Sequence, residues 1–176
     1  DNEQVTLTWT FGELKTKDKG VQFDFLTTAK VSGDVVMEGV TTYLIRQKTD
    51  GSSVSKNKQE ASTPVYEVLT SWNISEDTGR RYARISGDYN LIHIHALTAK
   101  AFGFKQAIAH GMWSKARALA SLTLPDAYEA DVSFKLPIYL PSTVELLTEN
   151  RKTETAFLIR NQSSQKPHVS GIVKEL

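Results

Sequence analysis

The 176-residue sequence contains no cysteine. Disulfide staples, thiolate nucleophiles and thiolate metal ligands are therefore excluded, and any chemistry must come from carboxylates, imidazoles, hydroxyls or backbone dipoles. An excess of one charge sign is also lacking. Lys and Arg number 21 against 20 Asp and Glu, so no global field favours DNA or an anionic bilayer, and neither is an expected partner. No apolar run approaches the roughly 20 residues that span a bilayer. The opening residues, DNEQVTLTWT, lack the basic-then-apolar order of a secretion signal, which makes cytoplasmic residence the expectation. No tandem repeat marks a solenoid. What is present, 40% apolar and 23% charged residues, is the composition of an ordinary packed protein.

From Val5 to about Arg46, apolar and polar residues alternate in stretches such as VQFDFLTTAKV and VVMEGVTTYLI, with turn signals at Lys19-Gly20 and Ser32-Gly33-Asp34. This predicts an antiparallel meander of about three strands. No comparable helical periodicity precedes residue 70, so the meander has no local helix to cover its apolar face. Residues 47–69 read as a linker, polar through QKTDGSSVSKNKQEASTP and punctuated by Asp50-Gly51 and Pro64.

Helical candidates follow. EDTGRRYARIS lies after Ser75 and stops at Ser86-Gly87-Asp88, and ALTAKAF stops at Gly103. The longest is AIAHGMWSKARALASL, where Ile108, Met112, Lys115, Ala116, Leu119 and Ala120 outline one stripe before Pro125 ends it. The pattern then returns to strands in YEADVSFKLPIYL, TVELLTENR, TAFLIRNQ and HVSGIVKEL. One long helix followed by antiparallel strands predicts an α+β fold with a sheet wrapped around a helix.

Asp88, Asn90, His93, His95, His110 and Gly111 crowd into the stretch between Arg81 and Trp113, which holds three of the four histidines. Gly87 lets the backbone turn sharply and present the Asp88 carboxylate at a loop edge, with His93 near enough in sequence to converge on it. A carboxylate and an imidazole sharing one water can remove a proton at one point and deliver one at another, as addition of water to a conjugated double bond requires. Such an addition builds negative charge on a carbonyl oxygen, and the Gly111 amide at a helix start suits that charge.

The pieces Tyr82, Ser86-Gly87-Asp88, Asn90, His93, Gly103-Phe104 and His110-Gly111-Met112 resemble the hydratase motif of MaoC-like dehydratases and R-specific enoyl-CoA hydratases. The resemblance implies that Asp88 and His93 are the acid–base pair, Asn90 orients the site, and the Gly111 amide helps form the oxyanion hole. It implies a hotdog fold, with a long central helix wrapped by an antiparallel sheet, over residues 70–176. Residues 1–46 resemble the last strands of a preceding hotdog unit, so a longer double-hotdog protein is expected, of which this chain carries a partial first unit. The substrate implied is a coenzyme A or acyl-carrier-protein thioester, with no metal or redox cofactor, and the product an (R)-3-hydroxyacyl thioester. Hotdog units usually pair, so a homodimer or higher homo-oligomer is expected. Leu91 departs from the family, which usually has proline after the asparagine.

Competing readings attach to single residues. His93 and His95 form a His-x-His pair that Asp88 would complete as a metal triad; the hydratase reading is preferred because it also accounts for Gly87, Asn90 and Gly111. His95 is then a supporting or partly exposed residue, His110 a cap or a positioner of its loop, and His168 a surface residue without a role. Arg80, Arg81 and Arg84 read as a solvated helix face in preference to a phosphate site. Met112 and Trp113 read as packing residues. A hotdog thioesterase and a non-catalytic acyl-thioester-binding subunit are the alternative functions.

Overall fold

The computed structural model describes residues 3–17, 20–46 and 65–176. The chain divides into two compact units, Asp1–Ala61 and Ser62–Leu176. Most of the expected linker, residues 47–64, lies outside the described residues, and its last three residues already belong to a strand that begins at Glu67.

The first unit is an antiparallel sheet of β1 (Val5–Lys17), β2 (Gly20–Val31) and β3 (Asp34–Arg46) in that order. The β2–β3 turn has Ser32 and Gly33 both at positive φ, 51° and 97°, the backbone that lets two tightly joined strands keep their native twist. Phe11 faces Phe25 across one strand pair and Phe23 faces Tyr43 across the other. These four rings form a ladder with centroids 4.5 to 5.9 Å apart, the kind of cross-strand contact that holds a small sheet together. Trp9 and Phe11 nevertheless remain 62% and 76% exposed.

The second unit is a five-stranded antiparallel sheet in the order β4-β6-β7-β8-β5. Its strands are β4 (Glu67–Ile74), β5 (Tyr128–Phe134), β6 (Ser142–Asn150), β7 (Glu154–Asn161) and β8 (Pro167–Glu175). Four helices, α1 (Thr78–Ser86), α2 (Leu91–Ile94), α3 (Ala96–Ala101) and α4 (Gly111–Leu119), lie between β4 and β5 in the chain. Period-two alternation in β6 and β7 directs Val144, Leu146, Phe157 and Ile159 into one core, which α4 joins through Ala118, with Trp113 and Leu119 packed against it. Each such side chain, fully buried, contributes roughly 1.5–3 kcal/mol. Among the described residues no helix is long and apolar enough to cross a membrane.

The helix expected to be longest, α4, is shorter than its sequence suggests and at nine residues only equals α1. It starts at Gly111 rather than near Ile108, because residues 107–109 are drawn into extended pairing. Ala109 N–H bonds the Ile138 carbonyl, Leu140 N–H bonds the Ala107 carbonyl, and Ile108 bridges Tyr139. Its buried face also differs. Ser114 and Ala118 are buried while Met112 is 54% exposed and Ala116 is exposed, so Trp113 packs as expected and Met112 does not. The buried positions 114 and 118 carry small side chains, one of them polar, which a count of apolar residues does not register.

Candidate active site

Helix α1 ends because Gly87 takes φ 75° and its N–H caps the Ala83 carbonyl, a left-handed cap that glycine adopts without steric cost. Short side-chain-to-backbone bonds then fix the next residues. Asp88 N–H donates to Ser86 Oγ at 3.2 Å, Asn90 N–H to Asp88 Oδ1 at 3.1 Å, and Ile92 N–H to Asn90 Oδ1 at 3.4 Å. These bonds leave the Asp88 side chain 53% exposed. Asn90 thereby caps α2, a single turn that carries His93. Leu91 occupies the first helical position, where an N–H has no intrahelical partner anyway, so the turn forms without the proline usual in the family.

His93 is set by contacts on both sides. Behind it, Gly79 packs so closely that a Cβ there would lie 1.9 Å from the His93 carbonyl oxygen. In front, His93 Nδ1 stands 2.8 Å from the Ile108 carbonyl, while Ile108 N–H bonds the Ile92 carbonyl. A carbonyl only accepts, so Nδ1 carries the hydrogen and donates. Burial, the largest influence, depresses the His93 pKa; the Ile108 bond and Asp88 oppose this, and His110 adds to it. The ring is neutral near pH 7, and its Nε2 bears a lone pair.

His110 ties these pieces together. Its ring stacks on His93 at 3.8 Å between centroids and meets Tyr82 at 4.9 Å. Its Nε2–H donates to the Asp88 backbone carbonyl at 2.9 Å, with Asp88 Oδ2 at 3.8 Å. Polar atoms of Asp88, His93 and His110 all lie within 4.8 Å of one another. His93 and Gly111 line one cavity of about 220 Å³, together with Ser114, Phe134, Leu136 and His168. Phe134 sits close over Gly111, where a Cβ would meet its ring at 3.1 Å.

The structure thus brings Asp88 and His93 together and sets Gly111 with His93, though not Asp88, in the wall of one cavity, while the Asn90 side chain acts on the loop backbone. His95 stands apart: its Nδ1 caps α3 by accepting from Leu97 N–H at 3.1 Å. The third member of the cluster is His110, so the Asp88–His93–His95 metal triad does not form. The stacked rings of His93 and His110 are inclined by only 27°. Imidazole lone pairs lie in the ring plane, so two nearly parallel rings do not converge on one ion as tetrahedral ligands do.

Of the two roles expected for His110, it makes no side-chain capping bond to α4 but does position a loop, that of Asp88. Two other expectations need correction. His168 is buried, not a surface residue, and Lys135 N–H bonds its carbonyl; the chain after β5 folds over it, which nothing local to HVSGIVKEL signals. Arg80 is half-buried and donates to the Ile94 carbonyl at 3.1 Å, whereas Arg81 and Arg84 are exposed as expected.

A helix whose N-terminus opens beside the polar cluster, lying on an antiparallel sheet, defines a hotdog fold. Comparison with known proteins agrees. Residues 52–171 match the model of the MaoC like domain. A 3-hydroxyacyl-thioester dehydratase X from Mycobacterium tuberculosis is 33% identical over 165 residues, which cover 93% of this chain and 59% of that protein. The crystal structure of HtdX from the same organism superposes with a TM-score of 0.81 at 30% identity, over 99% of this chain and 68% of that one. R-hydratase PhaJ1 from Pseudomonas aeruginosa matches 65% of this chain and 81% of its own at 26% identity and a TM-score of 0.54. The chain belongs to the MaoC-like family, and it spans 59% of the length of the M. tuberculosis dehydratase it matches.

Proposed function

We propose that this chain hydrates trans-2-enoyl thioesters, reversibly, to (R)-3-hydroxyacyl thioesters. The observation that carries the reading is the His93 ring: its Nδ1–H is committed to Ile108, which leaves Nε2 an acceptor, and the residue lines a cavity that Gly111 also lines, with Asp88 close by. In the hydration direction, Asp88 and His93 hold one water. Its oxygen bonds to C3 as the C2=C3 π bond breaks, its proton passes to the pair, and the pair returns a proton to C2. The substrate gains one water and the pair recovers its starting state, so the reaction balances without a metal or redox cofactor. Negative charge grows on the thioester oxygen during the step, and the Gly111 N–H at the start of α4 stabilises it. The names of the relatives, a dehydratase and an R-hydratase, support both the reaction class and the hand of the product.

The same reading assigns the substrate to coenzyme A or acyl-carrier-protein thioesters, the chain to the cytoplasm, and its assembly to a homodimer or larger homo-oligomer. Crotonyl-CoA tests it: the enoyl absorbance should fall on adding the purified chain, with no thiol released. Release of free thiol would mark a thioesterase instead, and binding without either change a non-catalytic subunit.

A further inference from the structure

The cavity holds a second imidazole that the acid–base scheme does not use. His168, on β8, is 7% exposed and forms part of the same wall as His93 and Gly111, amid Ile108, Phe134 and Ile138. Its Nδ1 lies 3.1 Å from the Leu136 carbonyl, so Nδ1 carries the hydrogen and donates. Burial pushes its pKa down, outweighing the carbonyls of Leu136 and Pro137, which favour the charged form. The ring is therefore neutral near pH 7 and its Nε2 is an acceptor. That Nε2 is buried and has no hydrogen-bond partner among the described residues, whereas buried polar atoms are nearly always paired.

We infer that His168 Nε2 accepts a hydrogen bond from an N–H or O–H of the thioester bound in this cavity. The inference rests on the hydratase reading, because His93 and Gly111 are what make the cavity the thioester's. A largely apolar wall with an unpaired acceptor suits a ligand that is mostly hydrocarbon with isolated donors. Two parts of such a substrate qualify: an amide N–H of the pantetheine arm, shared by coenzyme A and acyl carrier protein, and a hydroxyl on the acyl chain. A neutral imidazole discriminates against a ligand lacking the donor, because its lone pair then stays buried and unpaired.

Saturated thioesters, which a hydratase does not turn over, test this on the 176-residue chain by titration. S-butyryl-N-acetylcysteamine is compared with its ketone isostere, in which a methylene replaces the amide N–H, and hexanoyl with 6-hydroxyhexanoyl thioesters of the ketone thiol. The donor-bearing member of at least one pair should bind about five- to tenfold more tightly. His168→Leu should erase that preference, and His168→Gln, which keeps an acceptor oxygen, should retain part of it. In the wild type, the His168 Nε2 nitrogen resonance should shift with the donor-bearing ligand alone, a readout independent of how the variants fold. A response in the amide pair assigns the pantetheine arm, and one in the hydroxyl pair the acyl chain. Equal affinities within both pairs, or a resonance that no ligand moves, overturn the inference. Donor preference without hydration of crotonyl-CoA sinks the hydratase reading alone; hydration without donor preference sinks the role of His168 alone.

Discussion

The imidazoles of His93 and His110 stack 3.8 Å apart, and of the two it is His110 that hydrogen-bonds the Asp88 backbone. Its bond to the Asp88 carbonyl fixes the loop that carries the carboxylate, so His110 acts as a positioning residue. His110→Phe keeps a stacking ring but loses that donor. It should lower kcat roughly tenfold with little change in KM, since placement and not binding is lost, and His110→Gln should recover part of the rate; a KM effect alone would contradict this. Protonation gives a second prediction. His93 and His168 both have pKa values depressed below their ordinary 6.5. Between 6.5 and the depressed values the unfolded chain binds protons at these rings that the folded chain does not. Stability is therefore complete above pH 6.5 and is lost as the pH falls through that window. Urea unfolding at pH 7.5 and pH 5 should show lower stability at pH 5 and a smaller pH effect in His168→Gln; a stability that rises on acidification would refute the assignment.

Among the elements, α1 and α2 matter most because their close approach sets the His93 backbone. Gly79→Ala places a Cβ on the His93 carbonyl oxygen, a backbone atom that cannot swing aside. The variant should lose about 1–3 kcal/mol of stability and show impaired turnover, read from denaturant midpoints and initial rates; an unperturbed variant would mean the helices can separate freely. Much of this layer was legible in the sequence. Alternation announced the strands, and Gly87 announced both the end of α1 and the exposed Asp88. The start of α4 was not legible, because residues 107–109 have helical periodicity but are held extended by partners at 138–140, thirty residues away. His168 was hidden for a related reason: its burial comes from the backbone at Lys135 and Leu136, and period-two patterning says which face a strand residue is on, not what later covers it. His110 was visible beside Gly111, yet its stacking on His93 depends on a loop closure that spacing alone does not specify.

At the scale of the whole molecule, the first unit presents exposed apolar side chains, Trp9 and Phe11 among them, and exposed apolar sheet surface promotes association. Light scattering coupled to size exclusion should find dimers or larger species; a monodisperse monomer would contradict the proposed assembly. The proposed acid–base centre itself lies within the second unit, on the loop after α1, on α2 and at the start of α4. Its most direct test is Asp88→Asn. Asparagine retains the Oδ1 that accepts from Asn90 N–H, so the loop and the melting temperature should persist while the carboxylate is gone. Loss of crotonyl-CoA absorbance should slow by roughly 10²- to 10⁴-fold. A folded Asp88→Asn protein that hydrates crotonyl-CoA at the wild-type rate would contradict the assignment.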